Sequence, residues 1–89
     1  MMTPRTIEML VKRVINRATG TRVSDIRYAH SLAGDYGFGT TGRQVLAASL
    51  NGAFAGHGTP IAPPLGPTET QASVTVGDLG RLIRNRFGV

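Results

Sequence analysis

Ile7, Leu10, Val11, Val14, Ile15 and Ala18 recur at intervals of three and four residues, which is the spacing of one face of an α-helix. Thr3-Pro4 marks its start: a threonine N-cap, then proline at the first helical position, where the missing N–H would have had no partner. Gly20 supplies a left-handed stop. Arg5, Glu8, Lys12, Arg13 and Arg17 fall on the other side, with Glu8 and Lys12 at a favourable i, i+4 spacing. A chain of 89 residues makes one domain with a small core, and short helices with local contacts close such a core more readily than a large sheet.

A second stripe ends the chain. Val76, Leu79, Leu82, Ile83 and Phe87 form its apolar side, and Arg81, Arg84 and Arg86 its solvated edge. Thr75 and Asp78 are spaced as the N-cap and N3 of a capping box, and Gly88 closes the helix. Between the two stripes, a helix is expected from Thr40 or Thr41 to Phe54, capped by one of those threonines. Val45, Leu46, Leu50, Ala53 and Phe54 give it an apolar side, while Ala47 and Ala48 let a neighbour come close. Residues 21–39 read as a loop that includes a turn of helix, with Val23 and Ile26 tucking under the first helix and Ser24-Asp25 as a local cap or turn signal. From Gly56 to Ser73, four prolines exclude a long helix or a central strand, leaving a loop pinned by Ile61 and Leu65. One contiguous core is expected from Ile7, Leu10, Val14, Leu46, Leu50, Phe54, Leu79, Leu82 and Ile83.

Catalytic chemistry has little to stand on. There is no cysteine, so disulfides, thiolate metal sites and cysteine nucleophiles are excluded. His30 and His57 are too far apart for a local metal motif, and Asp35 has no second carboxylate nearby to form an acid–base pair. Residues 37–42 are rich in glycine and hydroxyls at a helix start, where anions can bind, but the lysine and spacing of a P-loop are missing. Neither an enzyme nor a metal site is expected. No apolar run is long enough to span a bilayer, so the expectation is a soluble cytoplasmic protein. Ten basic residues, nine of them arginine, stand against five acidic ones for a net charge of +5. Such a balance fits solvated helix faces, an acidic protein partner, an anionic membrane or nucleic acid.

Residues 32–54, from Leu32 through Asp35, Tyr36-Gly37, Leu46, Leu50 and Phe54, resemble the central segment of acyl carrier proteins without a gap. A long helix precedes that segment and a short one follows it, so the resemblance covers most of the chain. It implies an all-α fold, a small four-helix bundle of the acyl carrier protein type with an extended Pro/Gly-rich loop before the last helices. The short third helix would come from within residues 60–73. The family's Asp-Ser-Leu is replaced by Gly39-Thr40-Thr41, which places Thr40 where the phosphopantetheine-bearing serine would stand. A threonine keeps the hydroxyl but adds a methyl on the reacting carbon, which crowds attack on a phosphodiester and restricts χ1.

The helix after the site is acidic in that family, whereas here its first and only charge is Arg43. Thr41, Arg43 and Leu46 are therefore the expected partner-binding positions, with docking electrostatics inverted towards an acidic protein or an enzyme of a lipid, fatty-acid or polyketide pathway. No cofactor is expected. The function implied is a carrier-like interaction module that stays unmodified. Two other readings stand beside it: a true carrier loaded with phosphopantetheine at Thr40, and a basic helical module binding nucleic acid through arginine–phosphate contacts.

Overall fold

Helix α1 spans Pro4–Thr19 and begins where the Thr3 side chain accepts the Thr6 N–H at 3.2 Å. It ends at Gly20, whose φ of 77° is the left-handed conformation that L side chains resist and whose N–H bonds the Asn16 carbonyl at 2.7 Å. The computed structural model describes residues 1–89 and continues through a 3-10 turn at Val23–Asp25 to α2 at Thr40–Gly56, α3 at Pro67–Ala72 and α4 at Val76–Phe87. Four α-helices and no strand make the chain all-helical.

At the head of α4 both halves of the capping box form: the Thr75 hydroxyl accepts the Asp78 N–H, and Asp78 Oδ2 accepts the N–H groups of Thr75 and Val74, each at 3.0 Å. Those backbone bonds hold the Asp78 carboxyl below the usual aspartate range. Helix α1 packs against both α2 and α4, and α3 lies on α2. Ile7, Val11 and Ile15 of α1 meet Leu46, Leu50 and Phe54 of α2 and Val76, Leu79 and Ile83 of α4 in one apolar core. Phe54 stacks on Phe87 with ring centroids 5.9 Å apart.

Several expectations are corrected. Neither Thr40 nor Thr41 caps α2; Gly39 is the N-cap and offers no side chain to the first turn. Val45 and Ala18 face solvent, Leu82 is half-buried at the core's edge, and Val23 is exposed while Ile26 alone tucks under α1. Helix α2 runs one turn's fraction beyond Phe54, to Gly56.

Residues 57–66 form no helix, and they are pinned from three sides. Ile61 and Leu65 are buried, and the Asn51 side chain bonds both backbone groups of Leu65, at 2.9 and 3.2 Å. Arg86 donates from Nε to the Pro63 carbonyl at 3.1 Å and from Nη2 to Glu69. Glu69 in turn accepts the Gly66 N–H at the head of α3, so the Arg86 bond and then the backbone bond hold its carboxyl below the usual glutamate range.

Candidate functional site

The segment before α2 is a tightly bonded turn. The N–H of Leu32 bonds the Val74 carbonyl at 2.9 Å, Val76 N–H bonds His30 and Gly77 N–H bonds Tyr28, so residues 28–32 run beside the head of α4. Asp35 accepts the Ser31 N–H at 2.6 Å, and the Ser31 hydroxyl accepts from Gly34. Gly37 turns the chain at φ 71°, and Phe38 then drops into the core as its N–H returns to the Leu32 carbonyl.

His30 stiffens the same turn. The Arg27 N–H donates to His30 Nδ1, so that nitrogen is an acceptor and the Tyr36 hydroxyl, 2.6 Å away, donates to it too. Burial pushes the Tyr36 phenol above its ordinary range. This histidine is a loop fastener; His57 lies exposed at the far end of α2.

Thr40 and Thr41 emerge from this turn as the first two residues of α2, both exposed. The Thr40 carbonyl accepts from Gln71 Nε2 at 2.6 Å, and Arg43 Nη1 donates to the Ser73 carbonyl at 3.2 Å. The first turn of α2 is thus clamped to α3 from two directions. Arg43 was expected to reach for a partner; it is half-buried and spent on Ser73, with its Nε buried and unbonded. Leu46 was expected at the same surface and is 2% exposed, a core residue. Of the four expected site residues, the fold therefore leaves Thr40 and Thr41 at the surface.

The exposed positions of α2 consequently carry no charge; beyond Thr40 and Thr41 they are Gln44, Val45, Ala48, Ser49, Gly52, Ala55 and Gly56. The arginines sit in different settings. Arg13 and Arg17 line a half-open groove of about 960 Å³ between α1 and α2. Arg81 and Arg84 border a smaller recess of about 300 Å³ beside Tyr28, and Arg43 and Arg86 are consumed inside the fold. No cluster of three His, Asp or Glu side chains comes together, and no helix is long and apolar enough to cross a membrane.

Sequence reasoning missed Gln71, Asn51 and Arg86, whose bonds span 31, 14 and 17 or more residues and carry no local signature. It also missed the groove, although Arg13 and Arg17 at i, i+4 on a helix edge were visible. Comparison with protein-family models, with curated proteins and with solved structures returns no match.

Proposed function

We propose that this chain is an acyl carrier protein-like module that holds a partner protein and carries no phosphopantetheine. The observation that supports it is the setting of Thr40: an exposed residue at the head of a 17-residue helix, delivered by a tightly bonded turn, which the resemblance aligns with the family's modified serine. The succession of helices of 16, 17, 6 and 12 residues, the third short and preceded by a proline-rich loop, agrees with the bundle that the resemblance implies. Around Thr40, the features a modifying enzyme would grip are missing. Gly39 and Thr41 replace the aspartate and leucine, and α2 shows no acidic residue on any face. The threonine's β-methyl adds steric resistance to transfer. Arg43 and Arg86 are spent on backbone carbonyls within the fold, which takes two of the nine arginines away from any phosphate track and weighs against a nucleic-acid role.

The test is intact mass after incubation with a broad-specificity phosphopantetheinyl transferase and coenzyme A. The mass is expected to stay unchanged, and conversion to the phosphopantetheinyl form would overturn the unloaded reading. The triple variant Gly39→Asp, Thr40→Ser, Thr41→Leu is expected to become loaded. Gly39 has ordinary φ and open space around a new Cβ, so the change should not disturb the turn. A folded triple variant that still refuses the group would overturn the assigned register.

A further inference from the structure

We propose that the groove between α1 and α2 docks an acidic amphipathic helix of a partner protein. This rests on the reading of the chain as an interaction module, and it names the surface and the chemistry of the partner.

The shape comes first. The α2 wall runs from Gly42 to Gly56, roughly 21 Å at 1.5 Å per residue, and the α1 wall from Leu10 to Ala18, roughly 12 Å, so the two walls together embrace about two turns of an incoming helix. Along that wall Ser49, Gly52 and Ala53 are small, so a third helix could approach the backbone as closely as two packed helices do. The floor is apolar: Leu10 and Val14 from α1, Phe38 from the turn and the exposed Val45 of α2. An apolar floor of that length with open polar rims suits the i, i+3, i+4, i+7 anchors of an amphipathic helix.

Charge sets the partner's sign. Arg13 and Arg17 stand one helical turn apart on the α1 rim, both are exposed, and neither is in an ion pair. No acidic side chain lines the groove, and the facing rim of α2 is uncharged up to His57 at its end. Glu8, the acid nearest in sequence, is bonded to Lys12 on another side of α1. Carboxylates spaced i, i+4 on an incoming helix would meet the two free guanidiniums in register. A second copy of this chain does not supply them, since its five acids, Glu8, Asp25, Asp35, Glu69 and Asp78, include no pair spaced i, i+4. Nucleic acid is less suited, because the floor is apolar and the rim offers two cations.

The experiment is a titration of the ¹⁵N-labelled protein, and of the protein against a fluorescein-labelled probe by anisotropy. The probe is a synthetic helix of about 14 residues with leucines at i, i+3, i+4, i+7 and glutamates along one edge; its control carries lysines at the glutamate positions. The acidic peptide is expected to shift the amides of α1 from Leu10 to Arg17 and of α2 from Val45 to Gly56, and to bind about tenfold or more tighter than the lysine control. Arg13→Glu with Arg17→Glu is expected to reverse that preference. Ser49→Trp, which fills the trough from an exposed position, is expected to weaken both peptides. Equal affinity for the two peptides, shifts confined to the Tyr28–Arg84 recess, tighter binding of a mixed-sequence oligonucleotide or of palmitate, or concentration-dependent dimerisation would each overturn the proposal. Those failures leave the mass test of Thr40 untouched, and a loaded Thr40 would leave this titration standing.

Discussion

Helices α1 and α2 have nearly equal lengths, 16 and 17 residues, and are held in opposite ways. Helix α1 contains its own instructions: a hydroxyl cap, proline at the first turn, an internal Glu8–Lys12 pair and a left-handed glycine stop. Helix α2 has a glycine N-cap, no side-chain cap and three internal or terminal glycines, each about 1 kcal/mol less favourable than alanine in a helix interior. What keeps it helical comes from elsewhere in the chain: Gln71 on Thr40, Ser73 on Arg43, Leu65 on Asn51 and Phe87 on Phe54. The lesson is that a helix held by tertiary contacts can leave its outer face small and uncharged. That is the face that borders the groove.

The largest effect should come from the core side of α2. Phe54→Ala is expected to cost about 3–5 kcal/mol by urea unfolding, from lost transfer energy and the cavity left against Phe87. A cost under about 1 kcal/mol would mean that α2 does not depend on the core as the contrast requires. Polar ties sharpen the comparison next. Asn51→Ala should lose about 1–3 kcal/mol, because it strands the N–H and C=O of the buried Leu65. Arg43→Ala should fall in the same range, about 1–3 kcal/mol, through the Ser73 carbonyl. On α1, Lys12→Ala should cost about 1 kcal/mol, since its pair with the 40% exposed Glu8 is weak while its own side chain is largely covered and lies over the Tyr28 ring.

Caps give smaller effects of opposite sign. Thr3→Ala is expected to lose about 1 kcal/mol, whereas Gly39→Asp should gain about 0.3–1 kcal/mol by supplying the cap and the negative charge that α2 lacks. If Gly39→Asp destabilises the fold, the missing cap is not what separates the two helices.

The smallest effect is the response to acid, and it belongs to the elements that brace α2. Glu69 and Asp78 both have carboxyl groups held below their unfolded values, so each contributes stability that is complete above the ordinary carboxylate range. That stability is lost as pH falls through their lowered folded values. Urea midpoints measured from about pH 6 down to about pH 3 should decline, and Glu69→Gln with Asp78→Asn should make the decline shallower. An unchanged slope in the double variant would show that other groups govern acid unfolding.

The all-helical class, the termini of α1 and the capping box of α4 were readable along the chain, because a cap, a stripe and a glycine stop act over three or four neighbouring residues. The six residues of α3 were foreseen only as falling somewhere within 60–73, since a helix that short has no stripe and forms because Thr70 is buried and Glu69 is held by Arg86. Thr40 and Thr41 were singled out as site residues only through the resemblance, which aligns Gly39-Thr40-Thr41 with Asp-Ser-Leu, and the fold leaves both exposed. Arg43 and Leu46 were misplaced because the direction of a side chain on α2 depends on which side α1 and α3 cover. Nothing in the local sequence records that. By itself, then, the order of residues determined that α1, α2 and α4 are helices and where α1 and α4 start and stop, since those choices rest on backbone bonds to near neighbours. The tertiary structure alone decided which face of α2 is open, that Arg43 turns inward while Arg13 and Arg17 stay free, and that a groove lies between α1 and α2. Each of these depends on burial against residues distant in the chain.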